Sequence, residues 1–291
     1  MKEGKLARMS NVIAADRCVE YLLARPKLEM VGLGLIYGHP GLGKTTYAQR
    51  MAYSKGWIYM RLESYMTPKT FAVSLKQLII RHLGMGNHPV MGSAATIYEE
   101  CIGLLREHPE IVIVIGEIDY AFRSYQHEIL GAIRDIVDET LCVVILIGMQ
   151  NAKERLYQIN RYYFDRCGVF CEFTTPSKKD IAILMATMMD VSFGEDIVDY
   201  IAKRNQGTLR DTIKLMHSVE SVARVKKLER MAKGFPADTA DKSADSADDE
   251  RQDDASTSKV IRLEDLLEEE EGELAETVSF SEMQKIIGIK R

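Results

Sequence analysis

The nine residues "GHPGLGKTT", Gly38 to Thr46, set glycines, a lysine and two hydroxyls at the spacing G-x-x-x-x-G-K-[ST]. That pattern serves one chemistry, the cradling of a polyphosphate. In the loop Gly38, His39, Pro40, Gly41, Leu42 and Gly43, the glycines let the backbone turn its N–H groups inward. A helix starting after Gly43 adds its positive N-terminal end to the same spot. Lys44 reaches for the β and γ phosphates, Thr45 closes the motif and offers a hydroxyl to Mg2+, and Thr46 follows it as a second hydroxyl beside the phosphates. The expected cofactors are ATP and Mg2+.

Such a loop works only between a strand and a helix, and the flanking sequence supplies both. "VGLGLIYG" (31–38) is an apolar run ending at glycine, and "TYAQRMAYS" after it has helical character. Further strands are expected at "GWIYMRLE" (56–63), "IVIVI" (111–115), "LCVVILIG" (141–148) and "GVFCEF" (168–173). Between them, 68–84, 94–108 and 127–139 carry helical periodicity. Near-continuous Val/Ile strands alternating with helices predict an α/β fold, a parallel sheet with helices on both faces. After Pro176 the pattern changes to three helices with no strand between them, a small helical lid domain. The expected divisions are 1–175 for the α/β domain with a short N-terminal helix, 176–233 for the lid, 234–258 for an acidic disordered linker and 259–291 for a C-terminal segment. The linker has almost no large apolar residues with which to order itself. For "VIRLEDLLEEEEGE" and "SFSEMQKIIGIKR" two readings stand: short helices that dock on a partner, or a solvated tail with nascent helix.

Charge is distributed unevenly. Residues 236–291 hold 7 basic and 17 acidic side chains, whereas the rest of the chain holds 31 basic and 26 acidic. A mildly basic body with an acidic tail suits a nucleic-acid binder. No apolar run is long enough to span a membrane, and the N-terminus lacks the continuous apolar core of a signal peptide, so a cytoplasmic protein without a membrane partner is expected. The five cysteines lack the paired spacing of a zinc site and read as reduced, buried thiols.

The order of these elements resembles the AAA+ ATPases. By that resemblance, the strand 111–115 with Glu117 corresponds to the Walker B segment, whose glutamate polarises the attacking water. Ile145 to Gly148, followed by Met149, Gln150 and Asn151, corresponds to the sensor 1 strand end, where a polar side chain watches the γ-phosphate. In "INRYYFDRC", Arg161 and Arg166 stand where the family carries an arginine finger directed at a neighbouring subunit; the resemblance does not choose between them. In "NQGTLRDT", Arg210 matches the sensor 2 arginine of the helical lid. Gly116 falls where the family has the aspartate that holds hydrated Mg2+. A glycine offers no oxygen, so slow hydrolysis is expected; Asp119 would point away from position 116 if the segment stayed extended.

Within that family, "IYGHPGLGKTTYAQRMA", "IGEIDYAF", "LIGMQNAKERL" and "FDRC" are similar to the target-selecting ATPases of transposition, typified by the B protein of Mu-like phages and related transposon regulators. The similarity covers about residues 10 to 230. It implies a protein that oligomerises on double-stranded DNA as a filament or ring with ATP bound, activates or recruits a transposase, and lets go of DNA on hydrolysis. It also points to Tyr65, Thr67, Lys69, Lys76 and Arg81 as DNA contacts, against the plainer reading of a solvated helix face. Rival readings are a replication initiator or loader of the same superfamily, a nucleotide-gated scaffold with negligible hydrolysis, and a small-molecule kinase. Deleting residues 236–291 removes a competing polyanion; filter binding at low salt is expected to show duplex-DNA affinity held or raised. Stimulation of a cognate transposase should fall in the same truncation.

Overall fold

The computed structural model describes residue 2, residues 4–86, 89–123, 127–232 and 260–261. The elements in chain order are α1 (Ser10–Leu23), β1 (Leu33–Gly38), α2 (Lys44–Lys55), β2 (Ile58–Arg61), α3 (Pro68–His82), α4 (Ala94–Glu107), β3 (Val112–Gly116), a 3-10 turn (Ile118–Phe122), α5 (His127–Thr140), β4 (Val143–Ile147), α6 (Ala152–Ile159), α7 (Arg161–Phe164) and β5 (Cys167–Phe173). The lid follows with α8 (Lys178–Met188), β6 (Ser192–Phe193), α9 (Glu195–Arg204) and α10 (Leu209–Ala232), and β7 (Val260–Ile261) lies beyond it.

The main sheet is parallel throughout, in the order β2-β3-β4-β1-β5. Alternation along each strand feeds two cores. Leu33, Leu35, Ile113, Ile115, Val144 and Leu146 pack with α3, α4 and α5 on one face. Ile36, Val112, Val114, Val143, Ile145 and Ile147 pack with α1 and α2 on the other. Burial on both faces is why these strands read as unbroken apolar runs. Because β1 sits inside the sheet while the chain jumps from it to the β2 edge, the carboxyl ends of β1, β3 and β4 come together, where open α/β sheets hold their ligands.

Helix boundaries follow local chemistry. At α3, the Thr67 hydroxyl accepts from the Thr70 N–H at 3.2 Å while the Thr70 hydroxyl accepts from the Thr67 N–H at 2.7 Å, and Pro68 occupies the first turn. Past α1, buried Arg25 donates to the carbonyls of Leu22, Met30, Leu141 and Cys142, fastening the α1 end to the start of β4. All five cysteines are free thiols.

Two features depart from the sequence reading. The lid contains a strand after all: β6 between α8 and α9, paired in parallel with β7 at Ser192↔Val260 and Phe193↔Ile261. Those two tail residues are extended where the sequence pattern has the start of a helix; two adjacent apolar residues fit either period. The linker 234–258 and the remainder of 259–291 lie outside the described residues. The second departure is at the N-terminus: Ala7 and Met9 are buried in the lid core with Ile181, Leu184, Ile197, Ile201 and Met216. The segment before α1 therefore joins the α/β layer to the lid.

Asp180 fixes that junction. One carboxylate oxygen accepts from the Ser10 N–H at 2.7 Å and hydroxyl at 2.8 Å, and the other from the Ser177 N–H at 3.0 Å and hydroxyl at 2.8 Å. Burial alone would raise this carboxyl's pKa, but the bonds from Ser10 and Ser177 outweigh it and hold it below the ordinary range. A depressed carboxylate contributes stability that is complete above its unfolded pKa, about 4, and is lost as pH falls through the folded value. Asp180→Ala is expected to lower stability by about 1–3 kcal/mol in denaturant unfolding near neutral pH. The stability gap between parent and Asp180→Asn should stay constant near neutral pH and shrink below about pH 4.

Candidate functional site

Gly38 ends β1 and the phosphate loop runs from it to the head of α2. Its glycines have positive φ: +149° at Gly38, +82° at Gly41 and +89° at Gly43. Each is also crowded by a neighbour, Gly38 most severely because the neighbour is backbone. A Cβ at Gly38 would strike the Phe173 carbonyl of β5, one at Gly43 would meet Leu209 at 2.8 Å, and one at Gly41 would lie 3.3 Å from Thr208. The loop is thus wedged between β5 and the first turn of α10, and the Arg210 N–H donates to the Gly41 carbonyl at 3.0 Å.

Lys44, the first residue of α2, is 7% exposed. Its ammonium donates to the Gly38 carbonyl at 2.7 Å and the His39 carbonyl at 2.8 Å. Burial pushes its pKa down, opposed by Asp119 and then Glu117. A desolvated cation with two anionic neighbours at the head of a helix has the electrostatics of a phosphate cradle.

The end of β3 corrects the expectation for Asp119. The extended run stops at Gly116, and Glu117 adopts a left-handed conformation, φ 58° and ψ 43°. The next residues coil as a 3-10 turn, so strand alternation no longer applies: the Asp119 carboxylate turns to the end of β4 and to Arg155 of α6, 3.8 Å away, close enough to act electrostatically on Lys44 without lining the cavity. One Asp119 oxygen accepts from the Met149 N–H at 2.7 Å, tying the β3 end to the β4 end. A non-glycine residue held at positive φ costs of order 1–3 kcal/mol and is a mark of functional sites. The Glu117 carboxylate stands 3.8 Å from the Arg61 guanidinium at the end of β2.

The place of the missing aspartate is filled too. A Cβ on Gly116 would come within 2.7 Å of the Tyr59 hydroxyl of β2. That hydroxyl is buried and makes no hydrogen bond of regular geometry among the described residues, although the Gln49 side chain of α2 approaches it. Leaving a buried hydroxyl without a partner costs about 1–3 kcal/mol.

The phosphate loop, Glu117, the end of β4 and the start of α10 face one cavity of about 410 Å³. The loop, Lys44, Thr45, Thr46 and Glu117 line one side, Ile147, Gly148 and Met149 the β4 end, and Leu209, Arg210, Ile213 and Lys214 the lid. Lys214 escaped the sequence reading. Its signal is the i, i+4 spacing from Arg210, which puts both cations on one face of α10. The sensor-strand residue on the wall is Met149, while Asn151 is exposed at the start of α6 and does not line the cavity.

Arg161 and Arg166 also lie off this cavity. The Arg166 Nε donates to both Asp138 oxygens, at 2.9 and 2.8 Å, and its guanidinium lies 3.4 Å from the centre of the Tyr162 ring. Arg161 has a side chain 75% exposed and a 3.5 Å contact with Asp165. Of the residues expected to meet DNA, Tyr65, Lys69 and Arg81 are exposed, the Thr67 hydroxyl is occupied in capping α3, and Lys76 is half-buried in an ion pair with Glu100 of α4.

Among the described residues no group of three or more His, Cys, Asp or Glu side chains forms a metal cage. Magnesium is the cation such a site suits, since it keeps most of its waters and leans on phosphates, one or two carboxylates and a hydroxyl such as that of Thr45. Lys44→Ala deletes the buried cation, and isothermal titration is expected to show ATP affinity reduced by roughly 10- to 100-fold. Thermal unfolding of that variant should match the parent, because an alanine at the start of α2 leaves no charge to bury.

Residues 29–156 match the family model described as "AAA domain". Among solved structures, similarity extends to the ORC2 protein of Aeropyrum pernix in its ADPNP–ADP complexes, 15% identical over 80% of this chain and 66% of that one, with a TM-score of 0.54. The ORC1 protein of the same organism, in complex with DNA, is 19% identical over 76% of this chain and 61% of that one, TM-score 0.50. The RuvB Holliday junction branch migration motor of Thermotoga maritima is 21% identical over 75% and 64%, TM-score 0.46. The chain spans less than two thirds of the length of each of these structures. AAA+ ATPases bind nucleotide, typically with Mg2+. With its five-stranded parallel sheet, phosphate loop and helical lid, this chain has the P-loop AAA+ fold, and its residues 29–156 match the AAA domain.

Proposed function

We propose that this protein is an ATPase that binds double-stranded DNA with little sequence preference, oligomerises on it as a filament or ring when ATP is bound, and activates or recruits a transposase, with hydrolysis driving release. The observation that carries the ATPase half is the meeting of Lys44, Glu117 and Arg210 on one cavity. In this reading the loop amides and Lys44 hold the β and γ phosphates, and Glu117 orients the attacking water. Arg210 and Lys214 bring the lid's positive charge to the γ-phosphate, and Asn151 belongs to the segment that senses it. Bound Mg2+ would neutralise charge on the phosphates, with the Thr45 hydroxyl beside it.

A finger residue serves the next subunit, so its absence from its own cavity is what the role requires. Arg166 is committed to Asp138 and Tyr162, whereas Arg161 is exposed, which makes Arg161 the better choice for that role.

For DNA, the exposed Tyr65, Lys69 and Arg81 around α3 offer an aromatic and two cations to a phosphate backbone, a contact that gives affinity without sequence readout. Thr67 and Lys76 contribute by holding α3 in place rather than by touching DNA. The fold is shared with a protein solved in complex with DNA. The transposase partner rests on the motif resemblance alone.

Electron microscopy of the protein with ATP and duplex DNA tests the assembly: filaments or rings that depend on ATP are expected, and monomers under all conditions would refute it. Replacing Lys69 and Arg81 together with alanine should weaken binding equally across DNA sequences and reduce the slope of log affinity against log salt by about 2. An unchanged slope moves the DNA surface elsewhere.

A further inference from the structure

Gly116 looks like a loss, yet its surroundings show what replaces the side chain. Val112, Val114 and position 116 alternate onto the sheet face that packs against α2, the helix bearing Lys44 and Thr45. An aspartate at 116 would send its carboxylate in that direction. Its oxygens would stand about 2.4 Å from its own Cβ by covalent geometry. The Tyr59 hydroxyl lies 2.7 Å from that Cβ position, at the distance of a carboxylate oxygen. It reaches there from β2, next in the sheet, where Tyr59 pairs with Val114. Only glycine at 116 leaves room for it.

The hydroxyl is also chemically available. It is buried without a hydrogen bond of regular geometry, the Gln49 side chain being the group that approaches it, so most of its hydrogen-bonding capacity is unspent. Burial raises its pKa against the pull of Gln49 and Arg61, so it remains a neutral phenol able both to accept and to donate. A buried polar atom that the fold satisfies this poorly calls for a partner brought by a ligand.

We infer that Tyr59 stands in for the metal-side carboxylate: its hydroxyl accepts a hydrogen bond from the hydration shell of nucleotide-bound Mg2+, and Gly116 is the space that admits it. This rests on the nucleotide reading of the cavity. Tyr59 is a positioning residue here, since it acts through water. The neutral hydroxyl brings no charge, so the cation is oriented with less electrostatic hold than an aspartate would supply, and slow hydrolysis remains the expectation.

The test separates metal from nucleotide. ATP affinity is measured by calorimetry in EDTA and again in saturating Mg2+, for parent, Tyr59→Phe, Gly116→Asp and the double variant. In Tyr59→Phe, affinity in EDTA should equal that of the parent, while the gain on adding Mg2+ shrinks by about 3- to 10-fold. Melting temperature should hold or rise, because only an unsatisfied hydroxyl is lost. Gly116→Asp alone collides with that hydroxyl and should lower the melting temperature. With Phe at 59 the nearest ring atom stands 3.4 Å from the new Cβ, an ordinary contact, so the double variant should recover the Mg2+ gain. A Tyr59→Phe protein that keeps the full Mg2+ gain overturns the inference and leaves the nucleotide site intact. A parent that binds no ATP in either buffer overturns the nucleotide reading and this inference together.

Discussion

A buried ammonium with no carboxylate in contact among the described residues is an expensive object to fold around, and the site is organised by the need to hold one. Lys44 is desolvated at the head of α2, and its hydrogen bonds go to backbone carbonyls of the loop that precedes it. Carbonyls can converge on it only if that loop doubles back, which requires the positive φ values at Gly38, Gly41 and Gly43. Asp119 and Glu117 offset the remaining cost from a distance, and both depend on β3 ending where it does. The cradle, the sharp exit from β3 and the two acids answer one electrostatic demand.

The same glycines bind the two layers of the molecule together. Their missing side chains let α10 sit directly on the loop, with Leu209 and Thr208 against Gly43 and Gly41. From the other side, the segment before α1 enters the lid core and is pinned at Asp180. The lid is therefore gripped at the phosphate loop and at the N-terminus, with the cavity between the first turns of α10 and the sheet.

The sheet was legible because parallel strands buried on both faces leave apolar runs that no other element copies, and the phosphate loop because its glycines have no substitutes. What stayed hidden has a common character. Asp119 was misplaced because alternation assumes a strand that continues, whereas Glu117 breaks it by a left-handed turn that an acidic residue does not advertise. Tyr59 could not be connected to Gly116 because their meeting depends on β2 lying beside β3, a pairing between segments far apart in the chain. The two-residue β6 and β7 are too short to carry a period. The burial of Arg25 carries no sequence signal, because two of its four carbonyl partners, Leu141 and Cys142, stand 116 and 117 residues away. Lys76 and Thr67 carry the residue types of a DNA contact but are engaged in an ion pair and a cap. Residue type and spacing reveal what a segment demands of itself; they are silent on what neighbours demand of it.

The seating of α10 on the loop has a mechanical consequence. At 24 residues the helix is about 36 Å long, and its first turn is the part in contact with Gly41 and Gly43. A rigid rod pivoting at one end magnifies motion at the other: a tilt of about 10° at the loop carries the far end through roughly 6 Å. Because Met216 and Val219 of the same helix are buried in the lid core, α8 and α9 would travel with it, and the lid would swing as one lever about the phosphate loop.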